Sequence, residues 1–389
     1  MTDTRTAASI EPSLDGKEVR VKGWLEETRS LGGISFLILR DLTGTVQLTI
    51  NRSKAPAELT NMLSSINRES VVEATGTVRK SERARRGVEI VPSSLTVHSA
   101  AAAPLPMGVI DRVNVEAETR FDNRFMDLRR PEKYSIFRMR SIMSSILRNE
   151  LEKHDFTEVF TPKIVAEGAE GGATLFKVDY FGRRAFLAQS PQLYKQMLMA
   201  TGIGRVYEIA PAYRAEPSDT VRHTSEFISF DAEIPFIDGF EDVLQILEEL
   251  MHSTIQRTSK MCSELATAAG ITLTQAPRRP FRRLKYSECL DMLSAEGKEV
   301  RDGQDLDTES EKVIGKVMQE KGYSMYFITG YPTDIKPFYI MDDGTYSRSF
   351  DLEYEGLEMA SGGQREHRIE RLEEKMRAKQ LNPAGFEFY

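Results

Sequence analysis

The sequence predicts an α+β fold with two domains, a β-barrel at the amino terminus and a larger domain that combines an antiparallel β-sheet with flanking helices. Two observations support this division. Residues 1–103 contain short runs in which apolar and polar side chains alternate, whereas later residues repeat apolar side chains at helical spacing. A chain of 389 residues is long enough for two domains with a large core.

Residues 1–103 contain five predicted strands, with one helix between the third and the fourth. This order is typical of an OB-fold barrel, which binds single-stranded nucleic acid by stacking bases on aromatic side chains in a basic groove. The predicted strands are Val19–Trp24, Ile34–Arg40, Val46–Ile50, Val71–Val78 and Val88–Val97, and the predicted helix is Ala55–Asn67.

The charge distribution agrees with a nucleic-acid-binding first domain. The whole chain carries a net charge of −7, but residues 1–105 contain 14 basic and 12 acidic side chains. The densest basic cluster can be either a solvated hairpin tip or an edge that contacts phosphates. It consists of Arg79, Lys80, Arg83, Arg85 and Arg86.

The second domain follows an irregular, charged segment, 104–130, which suits a hinge. Pro131 fits the first turn of a helix, and apolar spacing predicts that helix over Glu132–Lys153. Strands and helices then alternate up to residue 389. The predicted strands are Thr157–Thr161, Arg205–Ala210, Glu226–Glu233, Met325–Tyr331 and Ser347–Met359; the predicted helices are Pro191–Ala200, Phe240–Lys260, Glu309–Lys321 and Glu366–Lys379.

Composition argues against several classes of protein. No run approaches 18 uncharged apolar residues, so no membrane span is expected, and the first residues lack an apolar signal-peptide core. Cys262 and Cys289 are the two cysteines and form no CxxC pair, which makes a disulfide framework or a structural zinc site unexpected. These observations favour a cytoplasmic protein.

Two strand-like segments, Tyr213–Glu216 and Arg222–Phe227, are joined by a short polar loop. If they pair in antiparallel fashion, Arg214, Glu216 and Phe227 point into one volume. Arginine offers a cationic fork for a phosphate, and phenylalanine offers a face for a purine. The alternative is a surface hairpin with scattered ion pairs. Two further residues could reach a polyphosphate tail: Arg222 and His223.

The segment Ala188–Gln196 ends a strand and opens a helix. Ser190 fits the N-cap and Pro191 fits the first helical position. Gln192 and Lys195 lie three residues apart and share a helix face, from which the lysine could neutralise a substrate carboxylate. Ordinary capping beside a surface lysine is the alternative.

An acidic segment near the end of the chain suggests a metal site. On a strand, Asp351 and Glu353 share one face, and Glu358 lies on the other unless a bulge near Gly356 intervenes. Carboxylates beside the Ser361 hydroxyl are hard oxygen ligands suited to Mg²⁺. An acidic hairpin facing solvent is the alternative.

Two glycine-containing segments complete the candidate site. Ser361–Gly363 permits close backbone approach to a ligand, and Arg365 follows as a second binder of carboxylates. Glu167–Thr174 could close over a small substrate, although a flexible surface loop is the commoner role of such a segment.

Taken together, these segments resemble the class II aminoacyl-tRNA synthetases, and within them the aspartyl-tRNA synthetases of the archaeal and eukaryotic type. The resemblance runs from about Asp15 to Tyr389. Its most specific parts are Phe121–Pro131, Gln189–Gln196 and Gly356–His367. It implies that 1–103 is an anticodon-binding OB-fold, 104–130 a hinge and 131–389 the class II catalytic domain.

The resemblance implies an ATP site in which Arg214 holds the α-phosphate, Glu216 meets the adenine edge and Phe227 stacks on its ring, beside Arg222 and His223. Asp351 and Glu358, with Ser361, resemble the ligands of Mg²⁺. The implied aspartate site is larger, with Lys195 and Arg365 clamping the β-carboxylate. The residues implied around the rest of the amino acid are Glu170, Ser190, Gln192, Asp231 and Ser361.

The implied reaction is ATP-dependent activation of L-aspartate to aspartyl-adenylate, followed by transfer to the 3′ end of tRNA(Asp) or also tRNA(Asn). Arg29, Phe36 and Gln47 resemble the contacts to anticodon bases. The Glu132 helix, with the strand leading to Pro162, resembles motif 1, which forms a homodimer interface in this family.

One departure from the family concerns motif 3, the glycine-rich strand and helix whose arginine grips the γ-phosphate side of ATP. Nothing after Arg365 matches it, which suggests a truncated chain that forms adenylate inefficiently. The alternatives are a catalytically impaired fragment and a non-catalytic tRNA-binding paralogue. An asparagine enzyme is less favoured, because Lys195 and Arg365 both suit a charged substrate side chain.

Overall fold

A computed structural model describes residues 3–110, 114–166, 175–215 and 224–389. These residues form two compact units, 1–134 and 135–389. Among the described helices, none has the length and apolar character needed to span a bilayer.

The first unit contains the predicted barrel. Its sheet has the strand order β1-β2-β3-β4-β6-β5, and an additional pairing between β2 and β5 closes it. Side chains that alternate along these strands fill the interior, among them Val21, Leu37, Leu48 and Ile90, all essentially without solvent exposure. The strands are β1 (Asp3–Arg5), β2 (Glu18–Leu31), β3 (Ile34–Asp41), β4 (Gly44–Asn51), β5 (Val71–Lys80) and β6 (Val88–Ser99).

Two details of the barrel differ from the prediction. A short first strand, β1, pairs in parallel with β2 and was not expected. The helix α1 spans Ala57–Met62 and is shorter than predicted. Ser64 and Ser65 donate hydroxyl hydrogen bonds to carbonyls one turn back, a local alternative to helical bonding that explains the early end.

The segment predicted as an irregular hinge contains two short helices, α2 (Ala117–Asp122) and α3 (Arg124–Asp127). The fully buried carboxylate of Asp127 joins them by accepting from Arg120 at 3.0 Å and from Arg124 at 2.5 Å. A buried carboxylate with two arginine partners stabilises this arrangement, since removing either leaves charge unpaired.

The second unit contains three sheets. The first places β11 (Val206–Tyr213) between β12 (Glu226–Glu233) and the short β7 (Thr157–Glu158). The second has the order β8-β10-β9, and the third β13-β14-β15-β16. The remaining strands are β8 (Ile164–Val165), β9 (Lys177–Tyr180), β10 (Arg183–Leu187), β13 (Arg282–Lys285), β14 (Met325–Thr329), β15 (Ser349–Tyr354) and β16 (Leu357–Gly363).

Helices cover both faces of the four-stranded sheet. Phe281, Phe327 and Phe350 pack on one face with helix α6. The other face packs Leu284 and Ile328 against helices α8 and α9. The helices of this unit are α4 (Pro131–Lys153, which begins in the first unit), α5 (Gln192–Leu198), α6 (Phe240–Met261), α7 (Ser263–Ala269), α8 (Tyr286–Ala295), α9 (Thr308–Glu320) and α10 (Ile369–Ala378). The predicted sheet with flanking helices is therefore confirmed.

The predicted single strand Ser347–Met359 is wrong, because the structure has a hairpin of β15 and β16 there. Its turn uses Glu355 and Gly356 with φ values of 54° and 81°. A Cβ at Gly356 would lie 2.5 Å from the carbonyl oxygen of Glu311, so only glycine fits this turn. Helices α7 and α8 were also not predicted.

Candidate active site

Strand β12 presents one row of polar and aromatic side chains. Phe227, Ser229, Asp231 and Glu233 are alternate residues and therefore share a face. β11 pairs with β12 in antiparallel register, as predicted, with Ala212 opposite Phe227. The guanidinium carbon of Arg214 lies 5.3 Å from the centre of the Phe227 ring. Glu216, Arg222 and His223 lie outside the described residues, as does Glu170.

Helix α5 supplies two further side chains. Its first residue is Gln192, so Pro191 occupies the N-cap position and not the predicted first helical position. The Ser190 hydroxyl nevertheless accepts a hydrogen bond from the Gln192 N–H at 3.0 Å. Gln192 and Lys195 are both buried on one face of the helix, in agreement with their spacing.

Lys195 and Arg365, 170 positions apart in sequence, meet at a shared carboxylate, Glu233. The Lys195 ammonium lies 3.1 Å from Asp231 Oδ1 and 3.7 Å from Glu233 Oε2. The Arg365 Nε donates to Glu233 Oε1 at 2.9 Å, and its Nη2 donates to Gln192 Oε1 at 3.0 Å. We call these five residues the Glu233 network.

Glu233 was not among the predicted site residues. Glu233 lies two residues after Asp231 on a predicted strand, and this spacing places both carboxylates on one face. The spacing could therefore have identified Glu233 as a candidate. The sequence gives no sign that one carboxylate serves both cations, since that depends on the packing of α5, β12 and the segment after β16.

The Glu233 network keeps its charges. Burial opposes ionisation of Asp231, but the Lys195 ammonium and the Ser229 hydroxyl lower its pKa below the ordinary value. Burial also opposes the charge of Arg365, yet the Glu233 carboxylate raises its pKa. The pKa directions of Asp231 and Arg365 therefore both favour the charged form, despite the burial.

Several polar atoms around α5 are buried without a hydrogen-bonding partner among the described residues. They include Gln189 Oε1, Gln192 Nε2 and Gln196 Nε2. Buried polar groups are otherwise almost always paired, because an unpaired group loses its hydration without compensation. These amides leave hydrogen-bonding groups with which a polar ligand could pair.

The predicted metal-binding side chains meet on the β15–β16 hairpin. Asp351 lies directly opposite Ser361, and Glu353 opposite Glu358, with an irregularity in register between these two pairs. Asp351 and Glu353 share a face by alternation, and Glu358 lies opposite Glu353, so the hairpin turn already places Glu358 on the side of Asp351. The extra residue, Met359, brings Ser361 to this same side. A bulge near Gly356 was the expected way to bring Glu358 to the side of Asp351, but the chain turns at Glu355 and Gly356 instead, and the irregularity lies further along β16.

The electrostatics of this hairpin suit a divalent cation. Glu358 keeps exposed surface, but the protein packed around its carboxyl and the neighbouring Asp351 raise its pKa to about 7. Asp351 Oδ2 accepts from Lys336 at 3.0 Å, whereas its Oδ1 is buried without a partner in the described part of the chain. The described residues contain no cluster of three or more histidine, cysteine, aspartate or glutamate side chains with metal-binding geometry. Two carboxylates and a hydroxyl fit Mg²⁺ that takes its other ligands from phosphates and water.

The two halves of the site are connected by strand β16. Ser361 lies opposite Asp351, and Arg365 follows four residues later. At about 3.4 Å per extended residue, this separation is roughly 14 Å, a distance that an amino acid joined to a nucleotide can span.

Comparisons with known proteins agree with this geometry. Residues 116–389 match the family model described as tRNA synthetases class II (D, K and N), and residues 19–97 match the OB-fold nucleic acid binding domain. The chain belongs to the class II aminoacyl-tRNA synthetases. It is thus an aminoacyl-tRNA ligase, and the predicted family and fold class are confirmed.

Relatives of this synthetase align over almost its whole length. It is 45% identical to the aspartate–tRNA(Asp) ligase of Pyrococcus abyssi, covering 100% of this chain and 90% of that protein. It is 46% identical to the aspartate–tRNA(Asp/Asn) ligase of Methanothermobacter thermautotrophicus, covering 99% and 88%. Asparaginyl-tRNA synthetase from Pyrococcus horikoshii, solved with asparaginyl-adenylate, superposes with a TM-score of 0.89 at 30% identity over 100% of this chain and 89% of that one.

The barrel of this synthetase places the three predicted anticodon contacts on β2–β4. Arg29 lies opposite Phe36, and Phe36 lies opposite Thr49. Gln47 donates to Glu89 Oε2 at 3.0 Å, and Arg29 is 71% exposed with an ion pair to Glu27. Phe36 alternates with the core residues of β3 and therefore presents its ring on the outer face of the sheet.

The basic cluster divides into two kinds of residue. Arg86 donates to the carbonyl oxygens of Ala7 and Ala8, so it has a structural role. The other four cations are exposed around the β5–β6 turn, where they add positive charge to the barrel surface: Arg79, Lys80, Arg83 and Arg85.

Proposed function

We propose that this synthetase activates L-aspartate with ATP and transfers the aspartyl group to tRNA(Asp). The Glu233 network is the observation that carries the proposal. Lys195 is buried and Arg365 is only 20% exposed, and the two cations converge from different elements, which is the chemistry needed to bind a small dicarboxylate. The relatives named as aspartate–tRNA ligases support the same substrate.

The β-carboxylate of aspartate enters between Lys195 and Arg365. Glu233 holds the two cations in place before the substrate arrives, so little reorganisation accompanies binding. Asparagine presents a neutral amide that cannot accept hydrogen bonds from both cations as a carboxylate can. The network therefore discriminates by charge. Asp231, with Ser190 and Gln192, serves the α-ammonium and α-carboxylate groups.

ATP lies along the β12 face. Phe227 stacks on the adenine, and Arg214 neutralises the α-phosphate as the substrate carboxylate attacks it. Asp351, Glu358 and Ser361 would hold Mg²⁺, which would neutralise negative charge on the phosphates. The attacking carboxylate is already ionised, so the chain needs to provide position and positive charge but no general base.

The tRNA binds through the OB-fold, with Phe36 as the stacking platform for an anticodon base. We further propose a homodimer through helix α4, because Ile136, Phe137 and Met143 on this helix are each 44–47% exposed. The relatives include enzymes named for tRNA(Asp) and for both tRNA(Asp) and tRNA(Asn), so both tRNAs belong in the test.

The test is ATP–pyrophosphate exchange by the purified chain with aspartate, asparagine or lysine as the only amino acid, followed by aspartylation of purified tRNA(Asp) and tRNA(Asn). We expect slow exchange with aspartate and none with the other two amino acids, and charging of tRNA(Asp). Exchange driven by asparagine would contradict the proposed specificity. Binding of tRNA with no exchange for any amino acid would instead support a non-catalytic tRNA-binding protein.

A further inference from the structure

Lys336 lies beside the carboxylates of the β15–β16 hairpin and has no role in the reaction described so far. Its ammonium is 3.0 Å from Asp351 Oδ2 and 3.7 Å from the centre of the Tyr331 ring. The side chains of Lys336 and Asp351 are only 16% and 9% exposed. This lysine is an enclosed cation between a carboxylate and an aromatic face.

The backbone around Lys336 fixes this position. Lys336 directly follows the 3-10 turn Thr333–Ile335, and its N–H donates to the Thr333 carbonyl at 3.3 Å. Thr333 is in turn bonded to the Thr345 carbonyl at 2.9 Å, and Tyr331 is 2% exposed. The ammonium is therefore held beside Asp351, whereas the side chain of an exposed lysine is free to adopt many rotamers.

The position of Lys336 matters because of the charge count. When both carboxyl groups are ionised, Asp351 and Glu358 contribute two negative charges, and the Lys336 ammonium offsets one of them. Without nucleotide, a divalent cation that approaches these carboxylates is repelled by the Lys336 ammonium, which is already paired with Asp351. When ATP is present, its phosphates add several negative charges and supply oxygen ligands, as in most Mg²⁺ sites that act on nucleotides.

We propose that Lys336 is the internal counter-cation of the Asp351–Glu358 pair, and that it makes divalent-cation binding at this pair depend on bound nucleotide. Lys336 is thus a positioning residue that keeps two neighbouring carboxylates together before the metal arrives and disfavours metal without substrate. This inference rests on the proposed function, since it needs an ATP site beside the hairpin.

The test measures Mn²⁺ binding to the full chain by electron paramagnetic resonance, with no nucleotide and with a non-hydrolysable ATP analogue. The substitution Lys336→Met roughly keeps the length of the side chain and removes its charge. We therefore expect the affinity for Mn²⁺ in the absence of nucleotide to rise by about tenfold or more relative to the unmodified chain. Lys336→Arg keeps the charge and should keep the nucleotide dependence. Lys312→Met, at a lysine side chain that is 58% exposed on α9, is the matched control and should change nothing.

Two results would overturn the inference: tight Mn²⁺ binding by the unmodified chain without nucleotide, or no gain of nucleotide-free affinity in Lys336→Met. If the methionine variant does not fold, Lys336→Gln is measured in its place, with the same two readings. A purely structural role for Lys336 would lower stability without raising metal affinity. Failure of the proposed function has a different signature, because then the unmodified chain binds no Mn²⁺ even with the ATP analogue.

Discussion

The catalytic unit contains two networks with the same ingredients and different surroundings. In the Glu233 network a buried glutamate binds Lys195 and Arg365. In the second, which we call the Glu248 network, a buried glutamate binds Arg279 at 3.1 Å and also Arg283. Both obey the rule that a buried carboxylate needs cationic partners.

The networks differ in what they leave unpaired. Glu248 also accepts from the backbone N–H of Phe281 at 3.0 Å, and Arg283 has a further partner in Glu241 at 2.7 Å. Its arginines reach solvent beside an open cavity of about 620 Å³. By contrast, Gln192 Nε2 in the Glu233 network is buried without a partner in the described structure.

The presence of unpaired polar groups distinguishes a binding site from a structural network better than the volume of the nearby cavity does. The charged groups of the Glu248 network that line this cavity already pair with one another, so they are not waiting for a ligand. The Glu233 network has enclosed cations and an orphaned amide, which a polar ligand would satisfy.

The largest expected effect on stability comes from Glu248→Ala, which leaves the partly buried Arg279 and Arg283 without their central carboxylate. We expect the free energy of unfolding to fall by about 2–3 kcal/mol, because the Phe281 N–H loses its acceptor while the arginines keep access to solvent. Urea unfolding followed by circular dichroism measures it. The neighbouring exposed Glu249 is the control, and Glu249→Ala should stay within about 0.5 kcal/mol. Equal small losses in both variants would show that the Glu248 network does not stabilise the fold.

The Glu248 network should also make stability depend on acid pH. Burial disfavours the ionised carboxylate, but hydrogen bonds from Arg283, the Phe281 N–H and Arg279 lower the pKa of Glu248 below its ordinary 4.5. A lowered pKa in the folded state means that this contribution is present above pH 4.5 and is lost as pH falls through the folded-state pKa. Unfolding curves of the unmodified chain and Glu248→Gln should therefore converge on acidification. A gap that is constant between pH 7 and pH 3 would contradict this assignment.

The sequence predicts contacts between residues that are close in the chain better than contacts between residues that are far apart in the chain. Helical spacing predicts that Gln192 and Lys195 share a face, and strand alternation predicts the same for Asp231 and Glu233. These are local periodicities. That α5 and the segment after β16 meet at Glu233 depends on packing between elements far apart in sequence, which periodicity does not encode.

The β15–β16 hairpin shows the same limit. Asp351 and Glu358 could be chosen by chemistry, but their common face depends on the hairpin turn at Glu355 and Gly356, and the position of Ser361 on this face depends on a one-residue bulge within β16. Lys336 had no local signal, because its approach to Asp351 depends on how the segment between β14 and β15 folds back.

A third region, the OB-fold face, extends the comparison to an exposed site. Phe36→Ala removes the proposed stacking platform and should weaken tRNA(Asp) binding by about 1–3 kcal/mol, with ATP–pyrophosphate exchange unchanged. Filter binding measures the affinity. Leu42→Ala, at an exposed apolar residue in the turn after β3, is the control and should leave it unchanged. An equal loss in both variants would mean that Phe36 has no specific role.

The smallest expected effect concerns an exposed carboxylate, Asp307, which caps helix α9 by accepting from the Ser310 N–H at 2.7 Å. Hydrogen bonds from Lys298 and Ser310 lower its pKa. Asp307→Ala should reduce the free energy of unfolding by about 1 kcal/mol, less than Glu248→Ala, because solvent replaces part of the lost contact. Thermal unfolding measures this loss, with Asp302→Ala as the control variant. A loss as large as that of Glu248→Ala would contradict the distinction between buried and exposed carboxylates.

The central claim, that the Glu233 network selects aspartate by charge, is tested most directly by the specificity of Lys195→Met. We expect kcat/KM for aspartate in ATP–pyrophosphate exchange to fall by about 100-fold or more, and the preference for aspartate over asparagine to shrink with it. Lys153→Met, at an exposed lysine on α4, should retain both values. A Lys195→Met enzyme that keeps its full preference for aspartate over asparagine would contradict the account.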